Sequence, residues 1–569
     1  MKSEFRRYRG LLGVAVFAAA ATWVTSADAG TPDRLDERLA RVLRDAGFTG
    51  RVQATLEGRL GRRVDPRLAD LGRLVFFDNI LGLHRDNACA GCHSPAMGFG
   101  DSQSIAIGTD NNGLVGPHRR GPRNQRRAPF AVNVAFFPSM MLNLRFVSRS
   151  GDPFDMGLGA SVPFSIGGDT VWVPGGACMV GTCFEPEKMT TLLSVQGHFP
   201  PTELVEMAGF CADHPEDVDP LVYHPPHRVS SGAVADTVPE AIPGPNGSPP
   251  DSTDTSYSIR QKVLARFNAN AEYVDRFSRI YAEAAGGHVT FAMIGAALAE
   301  FQVSNSFADA PLDRFARGQR DALTEPQQRG ALLFFTRGGC VSCHAIAGAS
   351  SEMFTDFANH VSGIPQIAPR GYGLRSGGDP EDAEDFPGNF DFSGPGHDED
   401  FGREEVSGDP ADRYAFRSSP LRNIALQPSF FHNGSFARLE DALRYHLNTV
   451  PIAPFYDPAA AGIAPDLRVR RGPIQPVLAR LDPAIAALGD LRLTRQEFQD
   501  LVAFLREGLL DPQARPQNLC RAIPKRVPSG LKVLRFEGCP GNAGTNARQP
   551  LVAESENVSA AASPSGDTP

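Results

Sequence analysis

Two classes of protein are disfavoured by what the sequence lacks. After residue 24, the chain of 569 residues contains no apolar run long enough to cross a bilayer. An excess of basic residues is also lacking, because the formal net charge is −9 at pH 7. A chain of this charge does not have the basic surface that binds nucleic acid phosphates. We therefore expect a soluble globular protein with neither a membrane span nor a nucleic acid partner.

The first 29 residues have the pattern of a secretory signal. A basic start over residues 2–9 is followed by an apolar run over residues 11–24 and then by small residues up to Ala29. A membrane anchor is the alternative, but the run is short and ends in small polar residues. We expect cleavage near Ala29, a mature chain that begins at Gly30, and export to the periplasm.

The sequence contains two complete C-x-x-C-H motifs. They are Cys89-Ala-Gly-Cys92-His93 and Cys340-Val-Ser-Cys343-His344. Two thiols at this spacing can reach the two vinyl groups on one edge of a haem, and the adjacent histidine can ligate the iron from the proximal side. A zinc site or a redox-active dithiol is the alternative for a single motif. Two motifs behind an export signal predict two covalently bound haems c.

Similar surroundings of the two motifs indicate an internal repeat. A capped helix is predicted before each motif, because Pro66 suits a first helical turn and Thr324 with Gln327 forms a capping box. A further capping box at Thr494 and Glu497 precedes apolar residues at helical spacing and predicts the last helix of the second unit. The expected fold is mainly α, with two cytochrome c-like helical domains and long irregular loops and insertions.

The predicted domains follow the motifs and the composition of the segments between them. Residues 30–310 are assigned to the N-terminal haem domain, with an insertion around 160–258 that is rich in Pro, Gly, Ser and Asp towards its end. Residues 311–540 are assigned to the C-terminal haem domain. The composition of residues 541–569 predicts a disordered tail.

Five cysteines remain outside the motifs. In an oxidising compartment, Cys178 with Cys183 and Cys520 with Cys539 are plausible disulfides, which leaves Cys211 without a partner. The sequence does not fix this connectivity.

Three stretches carry a family resemblance. These are residues 71–78 before the first motif, residues 127–133 after it, and residues 416–434, in which Phe-Arg and Leu-Arg-Asn are followed by His-x-Gly. With them the chain resembles the bacterial di-haem cytochrome c peroxidase family, which includes the MauG-type enzymes. The resemblance implies that the N-terminal haem binds and cleaves peroxide, and that the six-coordinate C-terminal haem stores or relays an electron.

The resemblance also implies roles for particular residues. Glu206, in a Glu-Met pair, would move a proton during cleavage of the O–O bond, although on sequence alone a solvated glutamate is the ordinary interpretation. Arg417 would neutralise haem propionates and tune the redox potential. His432 would form hydrogen bonds near the second haem.

His446 occupies the position of the second axial ligand of the C-terminal haem, where relatives have Met or Tyr. It shares an apolar stripe with Leu439, Ala442 and Leu443, whereas Tyr445 is turned about 100° away from it. A core histidine is the alternative. Bis-histidine ligation through His344 and His446 would lower the potential of this haem relative to a His/Met pair.

The chain departs from the family pattern at the N-terminal haem. Thr109 stands where activatable peroxidases have a displaceable histidine, so this haem is expected to be open without activation. His118 is an alternative sixth ligand, with a mobile loop histidine as the ordinary interpretation. The tryptophan between the haems is also missing, because the matching residues 142–145 are Leu-Asn-Leu-Arg.

The resemblance further implies a calcium ion between the haems. Its usual Asn and Thr are replaced here by Arg127 and Gln427, which puts the ion in doubt, and Asn124 is a substitute ligand. The sequence does not give the oligomeric state, and a homodimer stays open.

Three functions fit these features. The first is reduction of hydrogen peroxide to water with electrons from a small periplasmic cytochrome c or cupredoxin. The second is MauG-like or oxygenase-like oxidation of a protein or organic substrate, which the missing tryptophan and His446 favour. The third is a non-enzymatic di-haem electron carrier, in which both haems are six-coordinate. The family resemblance favours the peroxidase.

Overall fold

The fold is described from a computed structural model. It covers residues 34–163, 170–173, 178–179, 182–183, 190–208, 255–369, 392–396 and 398–539. The predicted signal segment, the predicted tail, Cys211 and most of the predicted insertion lie outside these residues. Among the residues described, no helix is both long and apolar enough to cross a bilayer.

The fold is mainly α, as the sequence predicts. The α-helices within the described ranges are α1 Leu35–Asp45, α2 Leu56–Leu60, α3 Pro66–Phe76, α4 Cys89–Cys92, α5 Leu192–Gln196, α6 Thr255–Ala269, α7 Ala271–Ser278, α8 Phe291–Ser304, α9 Pro311–Ala316, α10 Glu325–Phe335, α11 Glu404–Ser407, α12 Leu439–His446, α13 Thr449–Ile452, α14 Gln475–Leu478, α15 Pro483–Ala487, α16 Arg495–Ala503 and α17 Pro516–Leu519.

The strands are short. They are β1 Leu114–Val115, β2 Ser139–Met140, β3 Phe146–Ser148, β4 Ala160–Pro163, β5 Thr170–Val173, β6 Cys178–Met179, β7 Thr182–Cys183, β8 Asn359–His360, β9 Phe416–Arg417 and β10 Arg535–Phe536. The largest sheet is the antiparallel β2-β3-β4-β5, and the other strands form the pairs β1-β10, β6-β7 and β8-β9. Cys178 lies opposite Cys183 in the β6-β7 ladder, but the pairing of their sulfur atoms is outside what the structure describes.

The predicted helix caps are confirmed. The Asp65 carboxylate accepts a hydrogen bond from the Arg67 backbone N–H (2.8 Å) at the start of α3. The Gln327 side chain accepts from the Thr324 N–H (2.9 Å) at the start of α10. At α16, Thr494 and Glu497 bond reciprocally, at 2.8 and 3.2 Å. These bonds satisfy N–H groups that would otherwise lack partners.

Two helix pairs repeat the same close crossing. In the first pair, α3 lies against α8 so tightly that a Cβ atom on Gly72 would be 1.8 Å from the Ala297 carbonyl oxygen. In the second, α10 lies against α16, and a Cβ atom on Gly330 would be 2.0 Å from the Asp500 carbonyl oxygen. One turn further along, Phe76 contacts Phe301 and Phe334 contacts Phe504, with ring centres 5.1 and 5.5 Å apart. The two glycines allow backbone-to-backbone packing that no other residue permits.

Each pair lies in one apolar core, and the first and last described segments each pack on the core of the other half. Leu39 and Leu43 of α1 belong to the core around α10 and α16. Leu519 and Phe536, near the C-terminus, belong to the core around α3 and α8. The predicted Cys520–Cys539 disulfide is confirmed and lies in this returning segment. The division into residues 30–310 and 311–540 stays a prediction, and the packing of both ends runs across it.

The helix crossings predict opposite outcomes for glycine substitutions. Gly72→Ala and Gly330→Ala should each lower the free energy of unfolding by about 2 kcal/mol or more, because the new methyl group can fit only if a helix moves. Gly58→Ala in α2 is the matched control, since a Cβ atom there meets nothing within 4 Å. That variant should be neutral or more stable by roughly 0.5 kcal/mol. Chemical unfolding checks this, and equal effects at all three sites would contradict it.

Candidate haem sites

The C-terminal motif forms a tight turn that orients its histidine. The His344 N–H donates to the Cys340 carbonyl oxygen (2.9 Å), which closes the turn. The imidazole Nδ1 of His344 donates to the Phe354 carbonyl oxygen (3.0 Å). This bond fixes the ring tautomer, because Nδ1 carries the proton and Nε2 is left as a lone-pair donor for a metal.

The N-terminal motif has the same arrangement. The His93 N–H donates to the Cys89 carbonyl oxygen (3.0 Å), and Nδ1 donates to the Phe99 carbonyl oxygen (2.8 Å). Burial lowers the pKa of His93 and also that of His344, so both imidazoles stay neutral, as a metal ligand must.

The two carbonyls that orient these histidines belong to residues with unusual backbone. Phe99 has φ of +53° and Phe354 has φ of +59°, in the left-handed region that bulky residues rarely adopt. Their rings are held by the helices before the motifs, at 5.8 Å from Phe76 and 5.9 Å from Phe334. The same strained residue type in matching places is a feature that the sequence analysis missed. The sequence does not indicate this backbone conformation, because phenylalanine has no preference for positive φ.

His446 lies across from His344. Their ring centres are 6.5 Å apart and the ring planes meet at 66°. Two imidazoles on opposite sides of one metal, each bound at about 2 Å, have ring centres roughly 6 Å apart. Burial lowers the pKa of His446 to about 4, so its ring is neutral. Tyr445 faces elsewhere, as its periodicity predicts, and its hydroxyl donates to the Gly363 carbonyl oxygen (2.5 Å).

Glu206 lies beside the first motif, in a π-helical turn over Leu204–Ala208. Its backbone is fixed from both sides. The Glu206 carbonyl oxygen accepts from the Asn87 side chain (2.7 Å), and the Val205 carbonyl oxygen accepts from the Thr109 N–H (3.2 Å). Burial, with a smaller contribution from the Glu206 charge, raises the pKa of the Cys89 thiol to about 12. The carboxylate therefore lies close enough to the motif to act on it electrostatically.

Thr109 is fully buried next to this turn. Its hydroxyl has no hydrogen-bond partner among the described residues. Thr109, which the family resemblance aligns with a displaceable histidine, thus presents only a small neutral group.

His118 is on the surface. Its side chain is 77% exposed, and its Nδ1 pairs with the Glu537 carboxylate (2.9 Å). His118 is therefore a surface histidine, which is the ordinary interpretation of the sequence. It pairs with a carboxylate of the C-terminal segment rather than with His93.

Arg417 is a buried cation with no carboxylate partner in the described part of the chain. Its guanidinium donates to the Ser139 carbonyl oxygen (2.7 Å) and lies 5.4 Å from the Phe137 ring centre and 5.6 Å from that of Phe357. Burial lowers the pKa of Arg417 to about 10. A buried charge is costly unless an opposite charge meets it, and a haem propionate would supply one.

His432 is buried and stacked on Phe416, with ring centres 3.6 Å apart. Its Nε2 is 4.0 Å from the Asp400 carboxylate, which is held in turn by Arg126. Burial lowers the pKa of His432 to about 4. The residue belongs to a buried polar cluster that also contains Glu405, whose pKa burial raises to about 7.

A histidine that the sequence analysis missed lies next to the second motif. His360 donates from Nδ1 to Asp482 and from Nε2 to Asp356, both at 2.8 Å. The Asp356 N–H in turn donates to the Cys343 carbonyl oxygen (2.7 Å). His360 follows His344 at the same distance along the chain at which Thr109 follows His93, and this spacing was the available signal.

The His360 pair of hydrogen bonds predicts a loss of stability at alkaline pH. The bond to Asp356, followed by that to Asp482, raises the pKa of His360 from 6.5 to about 9. The stabilisation is therefore complete below about pH 6.5 and is lost as the pH rises through about 9. Between these values the free energy of unfolding should fall by on the order of 1 to 2 kcal/mol.

Urea unfolding at pH 6 to 10 checks this. His360→Gln should flatten the pH dependence, whereas His288→Gln, at an exposed position, should keep it. An unchanged slope in His360→Gln would contradict the assignment.

Comparison with known proteins shows which proteins this chain is similar to. Residues 66–321 match the family model of the di-haem cytochrome c peroxidases. Cytochrome c551 peroxidase of Pseudomonas aeruginosa is 27% identical over 187 residues, which is 33% of this chain and 45% of that protein. The methylamine utilization protein MauG of Methylorubrum extorquens is 23% identical over 385 residues, which is 67% of this chain and 69% of that protein.

One similar solved structure is that of the di-haem peroxidase BthA from Burkholderia thailandensis. It has 19% identity and a TM-score of 0.45, and the match covers 83% of this chain and 91% of that one. The matched part of the chain spans about half the length of the two curated cytochrome c551 peroxidases that it matches. In its family-model match and in these sequence relatives, the chain is similar to the di-haem cytochrome c peroxidase family.

Proposed function

We propose that the protein is an exported di-haem c-type peroxidase. It reduces hydrogen peroxide to water with electrons from a small periplasmic cytochrome c or cupredoxin. The observation that carries the proposal is an asymmetry. Both motifs orient their histidine in the same way, but His344 is faced by a second imidazole from His446, whereas the turn beside the first motif offers Glu206 and the small Thr109.

The proposal assigns one haem to each motif. Cys89 and Cys92 attach the first haem, Cys340 and Cys343 the second, and His93 and His344 are the proximal ligands. The bound haems supply the iron at which peroxide is reduced and the store for one electron. The chain residues do the rest, by fixing the axial ligands and by handling protons.

Glu206 is assigned to proton transfer. An ionised carboxylate can accept the proton from one peroxide oxygen and return it to the other oxygen, which then leaves as water. The bonds from Asn87 and Thr109 hold two successive carbonyl oxygens of this turn, which limits how far the backbone that carries the carboxylate can move. Thr109 leaves room for peroxide because it has no group that can ligate iron strongly.

His446 and Arg417 set the properties of the second haem. A second neutral imidazole favours the oxidised state more than a methionine would. The Arg417 guanidinium, which lacks a carboxylate partner among the described residues, pairs with haem propionates. A second axial ligand would leave no open position for a substrate, which fits electron transfer rather than substrate binding, whereas the lower potential would make this haem harder to reduce than one with a His/Met pair.

A MauG-like oxidation of a protein or organic substrate is the second candidate. The replacement of the displaceable histidine by buried Thr109 and the presence of His446 in place of methionine favour it. It predicts an oxidised form that persists after peroxide in the absence of a donor and decays only with a specific substrate. A non-enzymatic carrier is the third candidate, and it requires a sixth ligand on the first haem.

The deciding experiment is low-temperature EPR of the holoprotein, before and after one-electron reduction, together with a count of covalently retained haem. The proposal expects two haems per chain, one high-spin ferric signal and one low-spin signal typical of two imidazoles. It also expects peroxide-dependent oxidation of a reduced small cytochrome c. Two low-spin signals that do not respond to peroxide would favour the carrier instead.

Glu206→Gln should slow the reaction with peroxide by about 10²–10⁴-fold, because the amide cannot accept the proton. The EPR signals of both haems should stay as in the unmodified protein. Glu203→Gln is the matched control from the same segment, since Glu203 pairs with Arg145 at 2.8 Å. Stopped-flow mixing with peroxide checks this, and equal rates in Glu206→Gln and the unmodified protein would remove Glu206 from the mechanism.

Substitution of His446 should change only the second haem. His446→Ala should convert its low-spin signal to high-spin, and His446→Met should restore a low-spin signal with a higher reduction potential. EPR and redox titration measure both effects. His118→Ala is the control and should leave both spectra unchanged, and a low-spin signal that survives in His446→Ala would identify another ligand.

A further inference from the structure

A buried arginine joins the segment after the first motif to the C-terminal half of the chain. Arg127 donates from its guanidinium to the Ser429 carbonyl oxygen and to the side-chain oxygen of Gln427. Its backbone N–H donates to the His432 carbonyl oxygen (3.1 Å). The side chain of Arg127 is thus held on both sides by the 427–432 segment.

The surroundings of this guanidinium are those of a cation site. The two atoms that it contacts are a carbonyl and an amide oxygen, and the buried Asp101 carboxylate acts on it through its charge. Oxygens of these types are the ligands that calcium takes in proteins. Burial lowers the pKa of Arg127 to about 10, so the guanidinium remains positively charged at neutral pH.

The same contacts reach the turn that orients the first proximal histidine. The Gln427 amide donates to the Met97 carbonyl oxygen (3.2 Å). A Cβ atom on Gly98 would be 3.0 Å from Leu426, and one on Gly100 would be 3.0 Å from the Gln427 oxygen. Phe99, between these two glycines, supplies the carbonyl that orients His93. The turn therefore lies directly on Gln427.

We propose that Arg127 is a built-in cation that takes the place of the calcium ion implied by the family resemblance. The guanidinium joins Gln427 to the Arg127 segment, and Gln427 fixes the turn of the first proximal histidine, so the junction is complete without a metal. A positive charge at this point would repel a second cation. The side-chain oxygen of Asn124, the substitute ligand, already accepts a hydrogen bond from the Gln125 N–H (2.7 Å).

The first test uses the unmodified holoprotein and calcium itself. After desalting, elemental analysis should find far less than one calcium per chain. A calcium chelator or millimolar calcium chloride should leave both the thermal midpoint and the EPR signal of the first haem unchanged. One retained calcium per chain, or a chelator-induced change in either measurement, would overturn the proposal. None of these measurements depends on peroxide turnover, so they stand apart from the proposed function.

The second test rebuilds the residue types that the resemblance implies. The double variant Arg127→Asn, Gln427→Thr should acquire calcium dependence, with a midpoint about 3 °C or more higher in millimolar calcium than in chelator. Arg123→Lys is the control, because Arg123 also joins the two halves but has its own buried partner, Asp466. It should be less stable and indifferent to calcium. Indifference of the double variant would overturn the cation-site assignment, and if that variant does not fold, the unmodified protein decides.

Discussion

The hydrogen bond from each proximal histidine to a backbone carbonyl is the constraint on which both sites depend. His93 and His344 can present Nε2 to a metal only while Nδ1 donates to Phe99 and Phe354. Both phenylalanines adopt a left-handed backbone, which costs on the order of 1 kcal/mol each and persists only where the surroundings enforce it. The helices before the motifs hold their rings, and the glycine contacts at Gly72 and Gly330 hold those helices. The packing of these helices therefore determines how each imidazole is oriented.

Because this frame is similar in both halves, the two sites differ in the other groups that lie near each motif. In the C-terminal half a helix brings His446 to 6.5 Å from His344. In the N-terminal half a π-helical turn brings Glu206 and the backbone of Thr109 together. Under the proposed function, a repeated scaffold with different groups beside each motif separates electron storage from peroxide chemistry, without any difference in how the proximal ligand is held.

The sequence predicts well those features that depend on short spacings. The caps at Thr324 and Thr494 and the helical stripe that separates His446 from Tyr445 are all local patterns, and the structure agrees with them. The packing of α1 on the core around α10 and α16 could not be predicted. An apolar stripe on α1 shows that one face is buried, but it does not show which core that face packs against. The left-handed phenylalanines were missed for a related reason. Positive φ in a bulky residue is imposed by tertiary packing, and its own preferences oppose it.

Buried arginines show how the two halves depend on charge. Arg127 donates to two neutral oxygens and is acted on by the charge of Asp101, although its Nε–H has no partner among the described residues. Arg417 has a carbonyl oxygen and two aromatic faces, but the described part of the chain gives it no carboxylate. Such a guanidinium is destabilising until an anion arrives, since burial opposes its charge. If that anion is a haem propionate, binding of the second haem and folding of its pocket are thermodynamically linked. The junction at Arg127 then persists in the absence of haem, whereas the pocket at Arg417 requires it.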